Sequence, residues 1–499
     1  MLANLSLQNI NFSYTPAQEN LFNSLNLHFT NGWTGIVGQN GTGKSTLAKI
    51  ISGKLKPNSG QIKYPLEENR ILMTENSFSR IDGLDEFWED RFSGYYRSLL
   101  KIKDHWIYSW EELSFGERKR IQIAVSLWIN PDIWILDEPS NHLDISGKRI
   151  LLEALETFKG IGILISHDRD LLDALCNKCI FLRKGEVSIY SGNYSESLTQ
   201  ERESQKSREV KYKIAKNNLE RAKRSIQSLK EKEFSHSNSL SKKNIDRLDH
   251  DTKGKIDRAR LSGKDKKGSR KKVVLENKKV ELEKETNVLY KKVHRMEGFQ
   301  FQSTPIYRDI LFHFTEQDWK PNSEISIFIP ELYLKPNSKI GIQGENGTGK
   351  SSFLKYLYER LNIPSSLVFY LPQEIDSLYW EKIQNEIRQK NKEELGKIYQ
   401  VIYQLGSIPE QVFYSKDPSP GEKRKVLFGL GAIQKPAVLI LDEPTNHLDL
   451  PSVHCLEDAL SEYDGCIVLV SHDEKFLDSL IKTKWIFERN QKNQIYIRK

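Results

Sequence analysis

Two short stretches of this sequence carry the residue types needed to hold a phosphate chain. Gly38, Gly43, Lys44 and Ser45 fit the spacing G-x-x-x-x-G-K-[ST], and Gly344, Gly349, Lys350 and Ser351 fit it again. Glycines there let backbone N–H groups close around phosphate oxygens at the N-terminus of the following helix. The lysine neutralises the outer oxygens, and the serine hydroxyl suits Mg²⁺. Asn40, Gly41 and Thr46 in the first loop, and Asn346, Gly347 and Ser352 in the second, complete the candidate nucleotide-binding set.

A second pair of stretches could cleave what such loops hold. The apolar runs at 133–136 and 438–441 end in Asp137–Glu138 and Asp442–Glu443. An aspartate at the carboxyl end of a strand can hold the Mg²⁺ through water. The adjacent glutamate can polarise the attacking water as a general base, a role worth roughly 10²–10⁴ in rate. Each pair has its own phosphate loop, which outweighs the reading of Glu138 and Glu443 as ordinary surface acids.

The elements that must position these groups recur along the chain. Lys44 and Lys350 are 306 residues apart; Asp137 and Asp442, and His167 and His472, are each 305 apart. Three motifs holding their offset to within one residue mean a duplicated domain of roughly 190 residues, an ordinary domain size. In each copy a short strand (33–38, 339–344) feeds the glycine loop and a helix follows it. The runs at 133–136, 160–166, 438–441 and 466–471 read as strands buried on both faces. Strands alternating with helices predict an α/β fold on a parallel sheet with crossover helices. The expected divisions are residues 1–195 and 299–499 for the two copies and 196–298 for a linker.

The linker has a different pattern. Tyr212, Leu219 and Ile226 alternate with Ala215, Ala222 and Leu229 along one seam, and Leu275, Leu282, Leu289 and Met296 form another. Residues 235–269 hold few apolar side chains, 6 in 35. Such heptads predict an antiparallel helical hairpin with a basic tip, its arms of ~35 residues reaching roughly 50 Å. Residues 201–300 hold 30 Lys+Arg against 16 Asp+Glu, more excess charge than the +8 of the whole chain. A localised surplus of this kind points to a polyanion, either nucleic acid or an anionic membrane. A solvated pair of charged helices is the plain alternative.

With 38% hydrophobic and 28% charged residues, the chain builds globular cores. No apolar run approaches the ~18 residues that span a bilayer. The first ten residues lack a secretory pattern, and 4 cysteines cannot form a disulfide framework. Cys176 and Cys179 have no further pair of ligands in their own copy for a tetrahedral metal, so they read as packing residues. A cytoplasmic protein is expected.

LSFGE at 113–117 resembles the signature motif of ATP-binding cassette (ABC) ATPases. The S/T-N-H-L-D stretches at 140–144 and 445–449 resemble their D-loop, and His167 and His472 their switch histidine. YSGNYSES at 190–197 is similar to the element that precedes the interdomain linker in the ABC-F branch. The resemblance spans both copies. It implies two ABC cassettes joined by the helical hairpin, with ATP and Mg²⁺ as cofactors and ATP hydrolysed to ADP and phosphate. Glu138, Glu443, His167 and His472 would be catalytic. Ser45, Asp137, Ser351, Gln373 and Asp442 would serve the metal. Head-to-tail pairing inside a monomer would bring Ser114 and Gly116 to the second phosphate loop, and Ser419 and Gly421 to the first. The implied partner is the ribosome, through ribosomal RNA and tRNA, in the exit-site region, with action on translation and antibiotic protection among the family's roles. No membrane partner is expected. Lys242, Lys243, Arg247, Lys253, Lys255, Arg258, Arg260, Lys264, Lys266, Lys267, Arg270, Lys271 and Lys272 are the candidate RNA contacts, acting on phosphates rather than reading sequence. A DNA-maintenance cassette ATPase and the motor subunit of a membrane transporter are the competing readings.

Two departures from the family pattern fall in one composite site. Glu75 stands where the second copy has Gln373, and PSPGE at 418–422 replaces the usual signature. The second site, with Lys350, Gln373, Asp442 and Glu443, is therefore expected to turn over faster, and the first to be slower or mainly structural. In the family, adenine stacks on an aromatic residue upstream of the phosphate loop. Tyr14 suits that role, and Phe314 is the counterpart in the second copy, with core packing the rival for both. The 76–112 segment is too short for a full helical insertion, so no extra arm is expected there.

Overall fold

The computed structural model describes residues 4–15, 20–65, 70–74, 83–141, 143–183, 185–239, 264–292, 298–321, 326–415, 417–490 and 494–499, with backbone alone for 232–239, 264–270 and 288–292. Two compact units emerge, Met1–Ser197 with Met296–Lys499, and Leu198–Arg295.

Isoleucine-rich runs pack on both faces and so become central strands. In the first copy the sheet order is Ile71–Thr74, Ile133–Asp137, Ile161–Ile165, Gly32–Gly38, Cys176–Arg183, Glu186–Ser191. Every neighbouring pair is parallel except the last. The second copy keeps this order with Val368–Leu371, Val438–Asp442, Cys466–Val470, Lys339–Gly344, Thr483–Arg489 and Ile495–Arg498. Two further strands, Ile327–Ile329 and Gln317–Trp319, widen it to eight. Ile161–Ile165 and Cys466–Val470 are buried at every residue, as expected of strands covered on both faces. The repeated α/β architecture is thus the one the motif offsets require.

Each phosphate-loop strand ends where a glycine must cap the next helix. Gly43 (φ +97°) precedes Lys44–Ile51, and Gly349 (φ +83°) precedes Lys350–Arg360. A Cβ at Gly43 would lie 2.8 Å from Phe22, and one at Gly349 2.8 Å from Ile327. Left-handed backbone and close approach together leave room for glycine alone. Between the strand Ile71–Thr74 and the first signature motif, the described residues form only the short helices Leu84–Glu89 and Ser93–Leu99 and two 3₁₀ turns, with no extended arm among them.

The linker is more helical than its apolar seam predicts. Its helices are Tyr194–Ser239, of 46 residues, and Lys264–Lys292, of 29. At 1.5 Å per residue the longer one measures about 70 Å, beyond the expected reach. Helix continues into polar sequence because straight-chain residues favour it and i,i+3 or i,i+4 pairs support it. Glu220–Lys223 at 3.5 Å, Gln227–Glu231 at 3.0 Å and Lys279–Glu283 at 3.6 Å are such pairs. Ala215, Leu219, Ala222 and Ile226 form the buried row. A groove lined by Ser225, Ser228 and Leu229 with Lys271, Val274 and Leu275 sets the late part of the first helix against the early part of the second, an antiparallel pairing.

Candidate nucleotide sites

Both phosphate loops fold in the same way. Lys44 Nζ donates to the carbonyls of Gly38 (2.8 Å) and Gln39 (3.0 Å), and Lys350 Nζ to those of Gly344 (2.8 Å) and Glu345 (2.7 Å). Each ammonium is thereby held inside its loop. Burial draws the pKa of both lysines down, against the pull of nearby carboxylates. Gly41 (φ +79°) and Gly347 (φ +76°) turn the loop crests. Asn40, Asn346, Ser45 and Ser352 are exposed along these loops and first helical turns, while Thr46 is buried.

Tyr14 lies beside the first loop: its hydroxyl shares a 2.6 Å hydrogen bond with Thr46 Oγ1, and the residue is 62% exposed. That leaves a ring face open next to the phosphate-binding turn. Phe314 does not have this setting. It is buried, with Phe353 at 5.5 Å and Tyr356 at 5.1 Å, both stacked. A ring used on its faces by the core has none for a base, so Phe314 is a packing residue.

The two Asp-Glu pairs sit at the carboxyl ends of Ile133–Asp137 and Val438–Asp442. Immediately after each strand the chain turns through left-handed backbone, with φ +51° at Glu138 and +49° at Glu443. Such a conformation costs a non-glycine residue about 1–3 kcal/mol and recurs at functional sites. It is pinned by Glu138 N–H to Ile165 O (2.8 Å) and Glu443 N–H to Val470 O (2.9 Å). The switch histidines back the carboxylates, His167 N donating to Glu138 Oε2 (3.2 Å) and His472 N to Glu443 Oε2 (3.3 Å). Burial, then the neighbouring Asp442, pushes Glu443 up to about 8, and burial beside Asp137 moves Glu138 in the same direction. Burial takes His472 down to about 4 and His167 lower still, so both imidazoles are neutral.

In the second site the candidate metal groups meet. Ser351 Oγ donates to Gln373 Oε1 at 3.3 Å, and the same hydroxyl lies near the Asp442 carboxylate and favours its charged form. Asp442 Oδ1 is buried without a hydrogen-bond partner among the described residues. Three oxygens converging around an unsatisfied carboxylate oxygen suit a hard divalent cation such as Mg²⁺. His472 Nε2 lies 3.1 Å from Asn346 Oδ1, tying switch to phosphate loop. In the first site Ser45 and Asp137 occupy the matching positions, and Glu75 lies outside the described residues.

Ser114 and Ser419 N-cap the helices Phe115–Ile129 and Pro420–Gln434 with identical capping boxes, to Glu117 and Glu422. Pro420 takes the first helical position, where the helix itself uses no N–H donor, so PSPGE folds like LSFGE. Gly116 packs near Leu143, and Gly421 near His447. Gly116 and Gly421 thus pack within their own cassettes. Pairing across cassettes is made by other groups: Asn40 N–H donates to Asp449 Oδ2 at 2.8 Å, and Gln39 packs at Gly406.

Motif spacing missed several buried cations. Arg424 donates from Nη1 to Glu443 O (2.9 Å) and from Nη2 to Gln373 O, joining the main chains behind the base candidate and the metal candidate. Lys119, its counterpart 305 residues earlier, donates to Gln122 Oε1 at 3.0 Å, and burial lowers it to about 8. An ammonium cannot present the planar fork that Arg424 uses. Arg169 reaches the second copy, at 2.9 Å from Glu457 and 3.1 Å from Asp473. A basic residue two positions beyond each signature glutamate, Glu117 and Glu422, is the signal that could have pointed to Lys119 and Arg424.

Of the RNA candidates, Lys242, Lys243, Arg247, Lys253, Lys255, Arg258 and Arg260 lie outside the described residues. Lys264, Lys266, Lys267, Arg270, Lys271 and Lys272 fall in the helix Lys264–Lys292, and the Lys271 side chain is exposed. Cys176 and Cys179 are buried and pack against Gly35.

The ABC transporter family model matches residues 22–141 and 329–446, one stretch in each copy. The ribosome protection protein VmlR of Bacillus subtilis (strain 168) is 28% identical over 501 residues, covering 96% of this chain and 86% of that protein. The probable ATP-binding protein YbiT of Escherichia coli O157:H7 is 28% identical over 528 residues, covering 92% of each. Among solved structures, an RNase-L inhibitor superposes with a TM-score of 0.60 at 18% identity, covering 98% of this chain and 90% of that one. An archaeal ribosome recycling factor aABCE1, solved with the stalk protein aP1, gives a TM-score of 0.59 at 16% identity over 98% of this chain and 89% of that one. At these identities the structural likeness concerns the fold alone. No helix among the described residues is long and apolar enough to cross a membrane.

Proposed function

As this chain belongs to the ABC-F family of tandem-cassette ATPases, we propose that it binds the ribosome and that its ATP cycle acts on translation. The observation that carries the reading is the linker: two long helices within a segment of 30 basic and 16 acidic residues, placed between two nucleotide-binding cassettes. Ribosomal RNA and tRNA are polyanions such a surface holds through phosphate contacts. VmlR, similar along nearly the whole chain, is named a ribosome protection protein, which supports the ribosome as the partner; antibiotic protection and an exit-site location are the finer parts of the proposal.

The chemistry divides among this chain's residues. The loop amides and Lys44 or Lys350 bind and orient the phosphates; Tyr14 offers its ring to adenine. Ser351, Gln373 and Asp442, and in the first site Ser45 and Asp137, would hold Mg²⁺, which when bound neutralises phosphate charge. Glu443 and Glu138 accept the proton of the attacking water, with His472 and His167 fixing the carboxylates by their main-chain N–H groups. Head-to-tail pairing within one monomer then brings Ser114 and Gly116 to Lys350, and Ser419 and Gly421 to Lys44. ATP closes the pair and favours binding; hydrolysis reopens it.

Binding to purified ribosomes and to duplex DNA, measured across a salt series, tests this reading. Ribosome affinity is expected to exceed DNA affinity by at least about tenfold and to fall steeply with salt. Equal or tighter DNA binding would favour the DNA-maintenance reading instead.

A further inference from the structure

Lys148 has no counterpart in the duplicated design. It lies on the helix Ile145–Leu155 of the first cassette; 305 residues later the second cassette has Val453, on Leu450–Ser461. Lys148 Nζ lies 2.8 Å from Asp168 Oδ2 of its own cassette. It also donates at 3.3 Å to the main-chain carbonyl of His472, in the other one. The N–H of that same His472 donates to Glu443 Oε2 at 3.3 Å. A line of contacts therefore runs from Asp168 through Lys148 and the main chain on either side of the His472 Cα to the candidate base of the second site. Lys148 lines a cavity of about 370 Å³ shared with Asn346, Gly347, Gln373, Glu443 and His472.

We infer that Lys148 is a positioning residue supplied by the first cassette to the second ATP site, where it fixes the switch segment that aims Glu443. Its aliphatic counterpart Val453 has no donor to return to the His167 carbonyl, so the arrangement serves one site only. The Asp168 carboxylate more than offsets the effect of burial on Lys148 and keeps it an ammonium. Arg169, next to Asp168, holds Asp473, next to His472, through contacts of 3.1 and 3.2 Å to its two carboxylate oxygens. The two switch segments are thus tied at adjacent residues, and Lys148 is the tie that ends on the residue whose N–H contacts Glu443. The inference rests on the reading that Glu443 serves a hydrolytic second site.

The test places Lys148→Met and Lys148→Arg in two backgrounds. Glu138→Gln leaves the second site to turn over, and Glu443→Gln leaves the first. ATP hydrolysis by the purified full chain is measured across ATP concentrations, with a thermal melt for each variant. In the Glu138→Gln background Lys148→Met is expected to lower kcat about tenfold with KM changed less than about twofold, and Lys148→Arg to restore at least half. In the Glu443→Gln background neither change moves kcat beyond about twofold. An unchanged kcat in the Glu138→Gln background, equal falls in both, or a loss confined to KM would overturn the inference. If Lys148→Met shifts the melt, the comparison rests on Lys148→Gln, which keeps a donor and part of the length, and the same site-selective fall is required. A Glu138→Gln background that hydrolyses nothing before Lys148 is touched would instead refute the reading of the second site.

Discussion

Glu443→Gln removes about nine-tenths or more of the steady-state ATP turnover, whereas Glu138→Gln leaves more than about half of it, because general-base loss costs roughly 10²–10⁴ at the site concerned. The asymmetry follows from what surrounds each glutamate. Behind Glu443, Arg424 joins its carbonyl to that of Gln373, and Ser351 donates to Gln373 Oε1 beside Asp442. Asn346 ties the phosphate loop to His472. The first site has the single-pronged Lys119 in place of Arg424 and Glu75 in place of the glutamine. Where the family pattern sets a neutral amide near the metal, a carboxylate at that sequence position is expected to add one negative charge. Glutamine is nearly isosteric with glutamate, so nucleotide binding should survive in both variants. Phosphate release at saturating Mg²⁺-ATP decides the matter, and equal losses would sink the asymmetry.

Changing Lys264, Lys266, Lys267, Arg270, Lys271 and Lys272 together to glutamine lowers ribosome affinity about a hundredfold at moderate salt and flattens its salt dependence. Each phosphate contact contributes roughly 0.7–0.9 to the slope of log affinity against log salt, so three or four lost contacts reduce the slope by about three. The six positions lie in one continuous helix, and glutamine keeps helix propensity, so the arm itself should persist. Basal ATP hydrolysis, carried by residues elsewhere, is expected to stay within about twofold. Affinity and slope measured by sedimentation over a salt series separate the outcomes. An unchanged slope would mean that these cations are merely solvated.

The elements easiest to read in the sequence were those set by short-range chemistry. The glycine loops, the isoleucine-rich strands and the Asp-Glu pairs announce themselves because each needs particular residue types at fixed spacing. Their parallel order is then nearly forced by strand-helix alternation. What stayed hidden depends on contacts between distant residues. Nothing near Lys148 in the chain indicates His472, 324 positions away, and nothing near Asn40 indicates Asp449. The family resemblance offered Phe314 to adenine, yet Phe353 and Tyr356 enclose it. The linker was underestimated because an apolar seam measures only the part of a helix that packs, whereas helix propensity and charge pairs carry it further. PSPGE looked disruptive until Pro420 proved to sit where a helix tolerates proline.

The central claim, an ATP-gated ribosome-binding protein, is tested most directly with Glu138→Gln/Glu443→Gln, which should bind ATP and hydrolyse it poorly. Sedimentation of this variant with purified ribosomes, in ATP and in ADP, is the measurement. Pelleting with ribosomes in ATP and remaining in the supernatant in ADP is the predicted result. A variant that binds ATP and stays in the supernatant with either nucleotide would contradict the account.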